Sequence, residues 1–233
     1  MFGTARAGSS HDIIAIPGGY ADADGPAAAA ALAGHGSPLA RAMLRDRKTV
    51  FIDRLGWDLQ SPDGLHEIDQ YDGPDTLYLL VHQPSTGRHL GSVRLLPSMG
   101  PHLLTDHFPF LCADGVPRGP DVWEITRLVT APGLDRSQAL QVRRQLSLAL
   151  FDQALALGVT RYTMLTHMPW VPALLSIGWD AEPLGLPHGD GANAVCALGI
   201  NVDATMRGRL ATAGGMAAPP QETGIGAEPQ MAS

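Results

Sequence analysis

Three groups of residues in this chain have the types and spacing to do chemistry. The first is Arg47-x-x-x-Phe51-x-x-Arg54-Leu55-Gly56-Trp57, which sets two aromatic rings a short distance after a cation. The second is the acidic stretch Glu67-x-Asp69-Gln70-Tyr71-Asp72. The third is divided between two apolar segments, Arg94-Leu95-Leu96-Pro97 and Trp123-Glu124-x-x-Arg127. Taken singly, the first reads as a helix end with a core aromatic, and the second as a solvated loop. Charges inside apolar strands are harder to set aside, because a buried charge must be paired or functional. Glu124 and Arg127 are an odd number of residues apart, so a regular strand would point them to opposite faces. A bulge between them would bring both to one face, and bulges are common beside active sites.

These groups must be held by secondary structure. Ser37-Pro38 predicts an N-cap and first helical residue, followed by an apolar stripe of Leu39, Met43, Val50 and Phe51 that ends near Gly56. The acidic stretch falls in a loop. Thr76 to His82 and Leu90 to Leu96 predict a hairpin across the turn Pro84 to Gly87. Leu103 to Phe108 predicts one helical turn, and Val122 to Thr130 a strand. Asp135 to Leu157 predicts the longest helix, stopped by Gly158. Further strands are expected at Val159 to Leu165, Trp179 to Leu184 and Ala194 to Ile200, with a short helix at Val171 to Ser176. Ile13 to Ile16 is one more strand. The reading is an α/β single domain, with a mixed, mostly antiparallel sheet flanked by helices on both faces. Residues 1–36 read as a flexible segment with one short strand, 37–213 as the catalytic domain and 214–233 as a disordered tail.

Composition excludes several classes. With 16 Lys+Arg against 23 Asp+Glu, the net charge of −7 argues against a nucleic-acid partner. Lys48 is the single lysine, so positive charge is almost all arginine, which grips carboxylates and phosphates with two parallel bonds. Cys112 and Cys196 are far apart, which fits neither a disulfide framework nor a zinc site. No apolar run is long enough to span a membrane and no secretory signal is visible, so a cytoplasmic location is expected.

Together the three groups resemble the LuxI-type acyl-homoserine-lactone synthases. Arg47, Phe51 and Trp57, then Asp69 and Asp72, then Arg94, and finally Glu124 and Arg127 fall at that family's eight characteristic positions, in order. The resemblance runs from about Met43 to about Pro187. It implies a GCN5-related N-acyltransferase-like fold whose central strands splay apart around an acyl-pantetheine arm. It also implies two substrates, S-adenosylmethionine and an acyl thioester on coenzyme A (CoA) or acyl carrier protein. The amine is acylated, the carboxylate closes a lactone, and methylthioadenosine leaves. No metal or other cofactor is implied, and the product is a quorum-sensing signal read by a separate receptor protein.

On that resemblance, Glu124, Arg94 and Arg127 are the catalytic candidates. Glu124 would take the amine proton, directly or through water, or would only orient Arg94 and Arg127. S-adenosylmethionine would be bound by Arg47, Phe51, Trp57, Asp69 and Asp72. The rings would face its sulfonium or adenine, and the acids would attract its ammonium or hold the loop. Arg47, Arg94 or Arg127 would hold its carboxylate. The acyl pocket would be lined by Met164, Thr166, Met168, Trp170, Leu174 and Leu175. Trp170, with Gly185-Leu186-Pro187 later, resembles members that take branched or aryl acyl-CoA. Arg136, Arg143, Arg144 and Arg161 are the candidate contacts to the acyl carrier. Rival readings are an N-acyltransferase on another amine and a non-catalytic sensor of the same ligands.

Overall fold

The computed structural model describes residues 11–17, 37–176 and 178–212. The expected insertion from Gly18 to Gly36 and the expected tail from Gly214 lie outside the described residues. Seven strands form one sheet: β1 (Asp12–Pro17), β2 (Leu77–Gln83), β3 (Arg88–Pro97), β4 (Val122–Thr130), β5 (Arg161–His167), β6 (Asp180–Pro183) and β7 (Val195–Asn201). Their spatial order is β1-β2-β3-β4-β5-β7-β6. Every neighbouring pair is antiparallel except β4 and β5.

Helix α1 (Pro38–Arg47) starts as its sequence dictates, with Pro38 in the first turn and the Ser37 hydroxyl accepting from the Ala40 amide at 3.1 Å. Its buried stripe is Ala40, Met43, Leu44 and Arg47, the i, i+3, i+4, i+7 spacing of one helical face. The chain then widens into a π-helix over Lys48–Arg54, which buries Val50 and Phe51. Such π segments occur disproportionately at functional sites.

The long helix α3 (Arg136–Leu157) follows a shorter one, α2 (Leu103–Asp106). Asp135 and Gln138 cap α3 reciprocally, and Gly158 ends it in the left-handed conformation at φ 71°. Helix α4 (Val171–Leu175) follows β5. The sequence reading placed nothing between Ile200 and Gly214, yet α5 (Met206–Thr212) forms there, with Asp203 accepting from the Thr205 and Met206 amides. Met206 and Leu210 join the α3 core. Among the described residues no helix is long and apolar enough to cross a membrane.

Strand alternation sorts the core into two layers. Leu79, Val81, Val93, Leu95 and Ile125 pack with Val142, Leu146 and Leu150 of α3. On the other face Tyr78 and Leu80 meet Met43 and Leu44 of α1, while Leu96 meets Leu103 and Leu104 of α2.

Two irregularities interrupt the middle of the sheet. The β3–β4 register shifts between Ser92 and Arg94, opposite Arg127, whose φ is +50°. Strands β4 and β5 pair only from Val122↔Arg161 to Ile125↔Met164, and beyond that they no longer pair, so the sheet opens.

Gly91 sets how closely α3 approaches β3. A Cβ there would collide with Val142 Cγ1 and lie 3.0 Å from the Val129 carbonyl oxygen. G91A should therefore destabilise by about 1–3 kcal/mol, lowering the melting temperature by roughly 3–10 °C in thermal denaturation. An unchanged melting temperature would show that the helix is free to shift.

Candidate functional site

The loop between the π-helix and β2 carries Glu67, Asp69 and Asp72 onto the α1 face of the sheet, where three arginines meet them. Arg47 comes from the end of α1, Arg94 from the middle of β3 and Arg127 from the bulge of β4. All six side chains are at most 9% exposed. Arg47 grips Asp72 with two parallel bonds (2.9 and 3.0 Å) and places Nε 2.5 Å from Glu67. Arg94 grips Asp69 in the same way (2.5 and 3.0 Å), reaches Asp72 at 2.9 Å, and gives Nε to the Thr126 hydroxyl at 2.9 Å. Arg127 reaches Asp69 at 2.9 Å and Glu67 at 3.3 Å. Arg94 and Arg127 thus share one carboxylate oxygen of Asp69. The β4 bulge is what turns Arg127 toward that oxygen.

Burial alone would push the Asp72 carboxyl up, but Arg47 and Arg94 overcome it and hold the group well below the usual range. Tyr78 donates its hydroxyl to the same carboxylate, and burial beside that charge pushes the phenol far up. The ligand oxygens of Glu67, Asp69 and Asp72 lie within 4.8 Å of one another, close enough to suit a cation. Three guanidinium groups already fill that role.

Phe51 and Trp57 stack, with centroids 4.8 Å apart and planes 19° from parallel, and Arg127 lies 5.6 Å from the Phe51 centroid. Tyr71 lies 5.7 Å from the Arg94 guanidinium and donates its hydroxyl to Asp106 of α2 at 3.0 Å.

Glu124 is fully buried on the same face as Arg94. Its Oε2 accepts from the Leu103 amide and its Oε1 from the Leu104 amide, both at 2.9 Å, so it caps the start of α2. Burial pushes its pKa up to about 7, against the pull of those two amides.

Several expectations need correction. Arg47 and Arg94 do not present an open guanidinium to a substrate carboxylate, because both are buried and their three nitrogens are bonded to protein oxygens. Asp69 and Asp72 are bonded to Arg47, Arg94 and Arg127 and so hold the loop, one of the two roles expected of them. Glu124 does not orient Arg94, whose nitrogens go to Asp69, Asp72 and Thr126.

Of the six acyl-pocket candidates, Met164 and Leu174 lie in the α3-side core with Met168 and Trp170 packed against it, and Thr166 is half-buried on the strand between them. Leu175 is 46% exposed and points away. The four carrier arginines are not brought together. Arg136 starts α3 and Arg161 lies beyond its far end, about 33 Å along a 22-residue helix. Arg161 instead pairs with Glu182 of β6 at 2.7 Å. Arg143 and Arg144 lie midway along α3.

The sequence reading gave Glu67 no role of its own and missed Tyr78 and Thr126. Charge counting could not have found Glu67, because the three expected acids, Asp69, Asp72 and Glu124, already matched the three arginines; Glu67 takes the third place because Glu124 turns to the Leu103 and Leu104 amides instead.

D72N should destabilise by about 3–5 kcal/mol, because it leaves two buried guanidinium groups short of a counter-charge. A melting temperature within about 2 °C of the parent, far less than such a loss implies, would show that the cluster does not hold the loop. Glu124 gives a pH signature. An unfolded glutamate ionises near 4.5 and the folded one near 7. Between these values the native state keeps a proton that the unfolded chain has lost. Stability therefore falls as pH rises through the window, by up to about 1.4 kcal/mol per pH unit. E124Q, uncharged throughout, should lose that slope when chemical denaturation is followed between the two values, and an identical slope would assign it to another group.

Comparison with known proteins gives a consistent result. The model of the autoinducer synthase family matches residues 36–210. An acyl-homoserine-lactone synthase of Ralstonia nicotianae is 33% identical over 184 residues, covering 76% of this chain and 89% of the relative. The structure of BjaI, a CoA-dependent acyl-homoserine lactone synthase with SAM (S-adenosylmethionine) and isopentyl-CoA, superposes with a TM-score of 0.69 at 27% identity, covering 86% of this chain and 87% of that one. A Lactobacillus plantarum protein described as an N-acetyltransferase, 17% identical with a TM-score of 0.51, shares the fold alone. The sheet with its opened β4–β5 seam is thus GCN5-related N-acyltransferase-like, and the chain belongs to the autoinducer synthase family.

Proposed function

We propose that this chain joins an acyl group from acyl-CoA to the amine of S-adenosylmethionine, and then closes the homoserine lactone with release of methylthioadenosine. The observation that carries the reading is the seam between β4 and β5, which opens beside the arginine–carboxylate cluster and the Phe51–Trp57 stack. A thioester arm can lie in the seam, and S-adenosylmethionine on the α1 face beside it. BjaI, with SAM and isopentyl-CoA, supports the pairing of substrates.

The chain's own residues make specific contributions. The stacked rings offer π faces to a sulfonium, which is attracted to the ring quadrupole. The six buried charges cancel in sign and fix the loop that seats those rings. Glu124 acts through α2: it anchors the helix, Asp106 of that helix holds Tyr71, and Tyr71 lies against Arg94. Met164, Thr166, Met168, Trp170 and Leu174 border the seam on the acyl side, where their bulk favours a short, branched or aryl group. Arg136, which opens α3 shortly after β4 ends, is the candidate that would meet the carrier's phosphates. In this reading the enzyme works in the cytoplasm and its lactone is a signal read by a separate receptor protein.

Mass spectrometry of reactions with S-adenosylmethionine and a panel of acyl-CoA and acyl carrier protein thioesters tests the proposal. An acyl-homoserine lactone appearing together with methylthioadenosine, best from a short branched or aryl CoA, is expected. Acylated product without methylthioadenosine would make the chain an ordinary N-acyltransferase. W170A should broaden the range of accepted acyl-CoAs, with discrimination between neighbouring chain lengths falling by about 10-fold; an unaltered product profile would remove Trp170 from the pocket.

A further inference from the structure

Two buried polar atoms beside the opened seam have no hydrogen-bond partner among the described residues: Trp57 Nε1 and His167 Nε2. Buried polar atoms are nearly always paired, so two on neighbouring rings, 6.1 Å apart, mark a place where a polar ligand sits. Thr163 and His167 project from the same face of β5, and Thr163 is opposite Glu124, so His167 stands with Glu124 on the side that holds Arg94. His167 is the last residue of β5, beyond the point where that strand parts from β4. It is 9% exposed, and its ring lies 6.1 Å from that of Trp57. The imidazole therefore sits at the lip of the seam, where an amine on the α1 face would meet a thioester in the gap.

Acylation of an amine needs a group that accepts its proton. The carboxylates nearby are engaged: Glu67, Asp69 and Asp72 with arginines, and Glu124 with an amide on each oxygen. On this basis, and given the proposed synthase activity, we infer that His167 is a catalytic base that takes the proton of the attacking amine. Burial pushes the imidazole down from its ordinary value, which keeps it neutral and basic near pH 7.

The step balances without another reactant. The neutral amine of S-adenosylmethionine attacks the thioester carbonyl carbon. The new C–N bond forms as one N–H proton passes to Nε2. The C–S bond then breaks with its electron pair on sulfur, and the imidazolium returns the proton to that sulfur, leaving amide, thiol and neutral His167. Trp57 Nε1–H, a donor only, is available to an oxygen or nitrogen acceptor of the same substrate.

Steady-state kinetics of H167A and H167Q, with S-adenosylmethionine and the thioester the parent enzyme uses best, tests this. Loss of a positioned base should lower kcat by about 10²- to 10⁴-fold. The KM for S-adenosylmethionine and the melting temperature should stay close to those of the parent. Added imidazole should restore part of the H167A turnover in proportion to its free-base concentration, and should not help H167Q. A kcat within about 5-fold of the parent in either variant, well short of the loss a base predicts, would overturn the assignment. So would a change confined to KM, or a folded H167A that imidazole does not revive. If H167A does not fold, H167Q decides by its kcat. A parent enzyme that makes no lactone from any thioester would sink the synthase reading itself, whereas an active parent with undiminished variants would sink this inference alone.

Discussion

Three guanidinium groups and three carboxylates, buried together on one face of the sheet, tie four separate parts of the chain to one another. Arg47 ends α1, Arg94 lies mid-β3, Arg127 sits on the β4 bulge, and the acids come from the loop before β2. Removing six charges from water is expensive, and mutual attraction offsets that only when each group has a well-directed partner. The paired bonds of Arg47 to Asp72 and of Arg94 to Asp69 meet that condition. The bridging of Arg94 to Asp72 and of Arg127 to both Glu67 and Asp69 makes the set one network rather than three pairs. A loop so anchored has little freedom, and that rigidity fixes the rings before it and the strand after it.

The same network accounts for an unfavourable backbone conformation. A non-glycine residue at positive φ is disfavoured, and Arg127 at +50° persists because its guanidinium is drawn to Asp69 and Glu67. The extra residue bends β4 next to the point where it leaves β5. One structural device therefore turns a cation into the cluster beside the seam, so the charge cluster and the seam are joined through the backbone of a single strand.

Much of this was legible in the sequence, for identifiable reasons. The turn Pro84 to Gly87 between two apolar runs marked the β2–β3 hairpin, and Gly158 marked the end of α3. Odd spacing of Glu124 and Arg127 inside an apolar strand called for a bulge. What was not legible depends on direction in space. Spacing alone does not say that Leu174 faces the core while Leu175 faces solvent, or that Arg136 and Arg161 lie at opposite ends of a helix. Nor does it reveal that Glu124 directs both oxygens at backbone amides, since the amides of α2 belong to a turn whose residues, Leu103 and Leu104, look like ordinary core. His167 went unnoticed because a lone histidine beside a proline-rich turn carries no pattern. Its significance comes from its unpartnered ring nitrogen and its neighbour Trp57.

An opened sheet solves a problem that a surface pocket does not. The two proposed substrates must meet with one carbonyl exposed to attack from one face and its acyl tail shielded on the other. Beyond Ile125, β4 keeps its hydrogen bonds to β3 but offers nothing to β5; beyond Met164, β5 keeps its bonds to β7 but offers nothing to β4. Each lip of the seam is therefore a strand edge without a neighbouring strand across the gap. A strand edge of this kind suits an extended arm, such as the pantetheine of the proposed thioester, that takes the place of the missing strand neighbour. Strand separation, rather than any one side chain, is thus the feature that lets a cationic substrate on the polar face and an apolar chain near the α3 core react at a single atom between them.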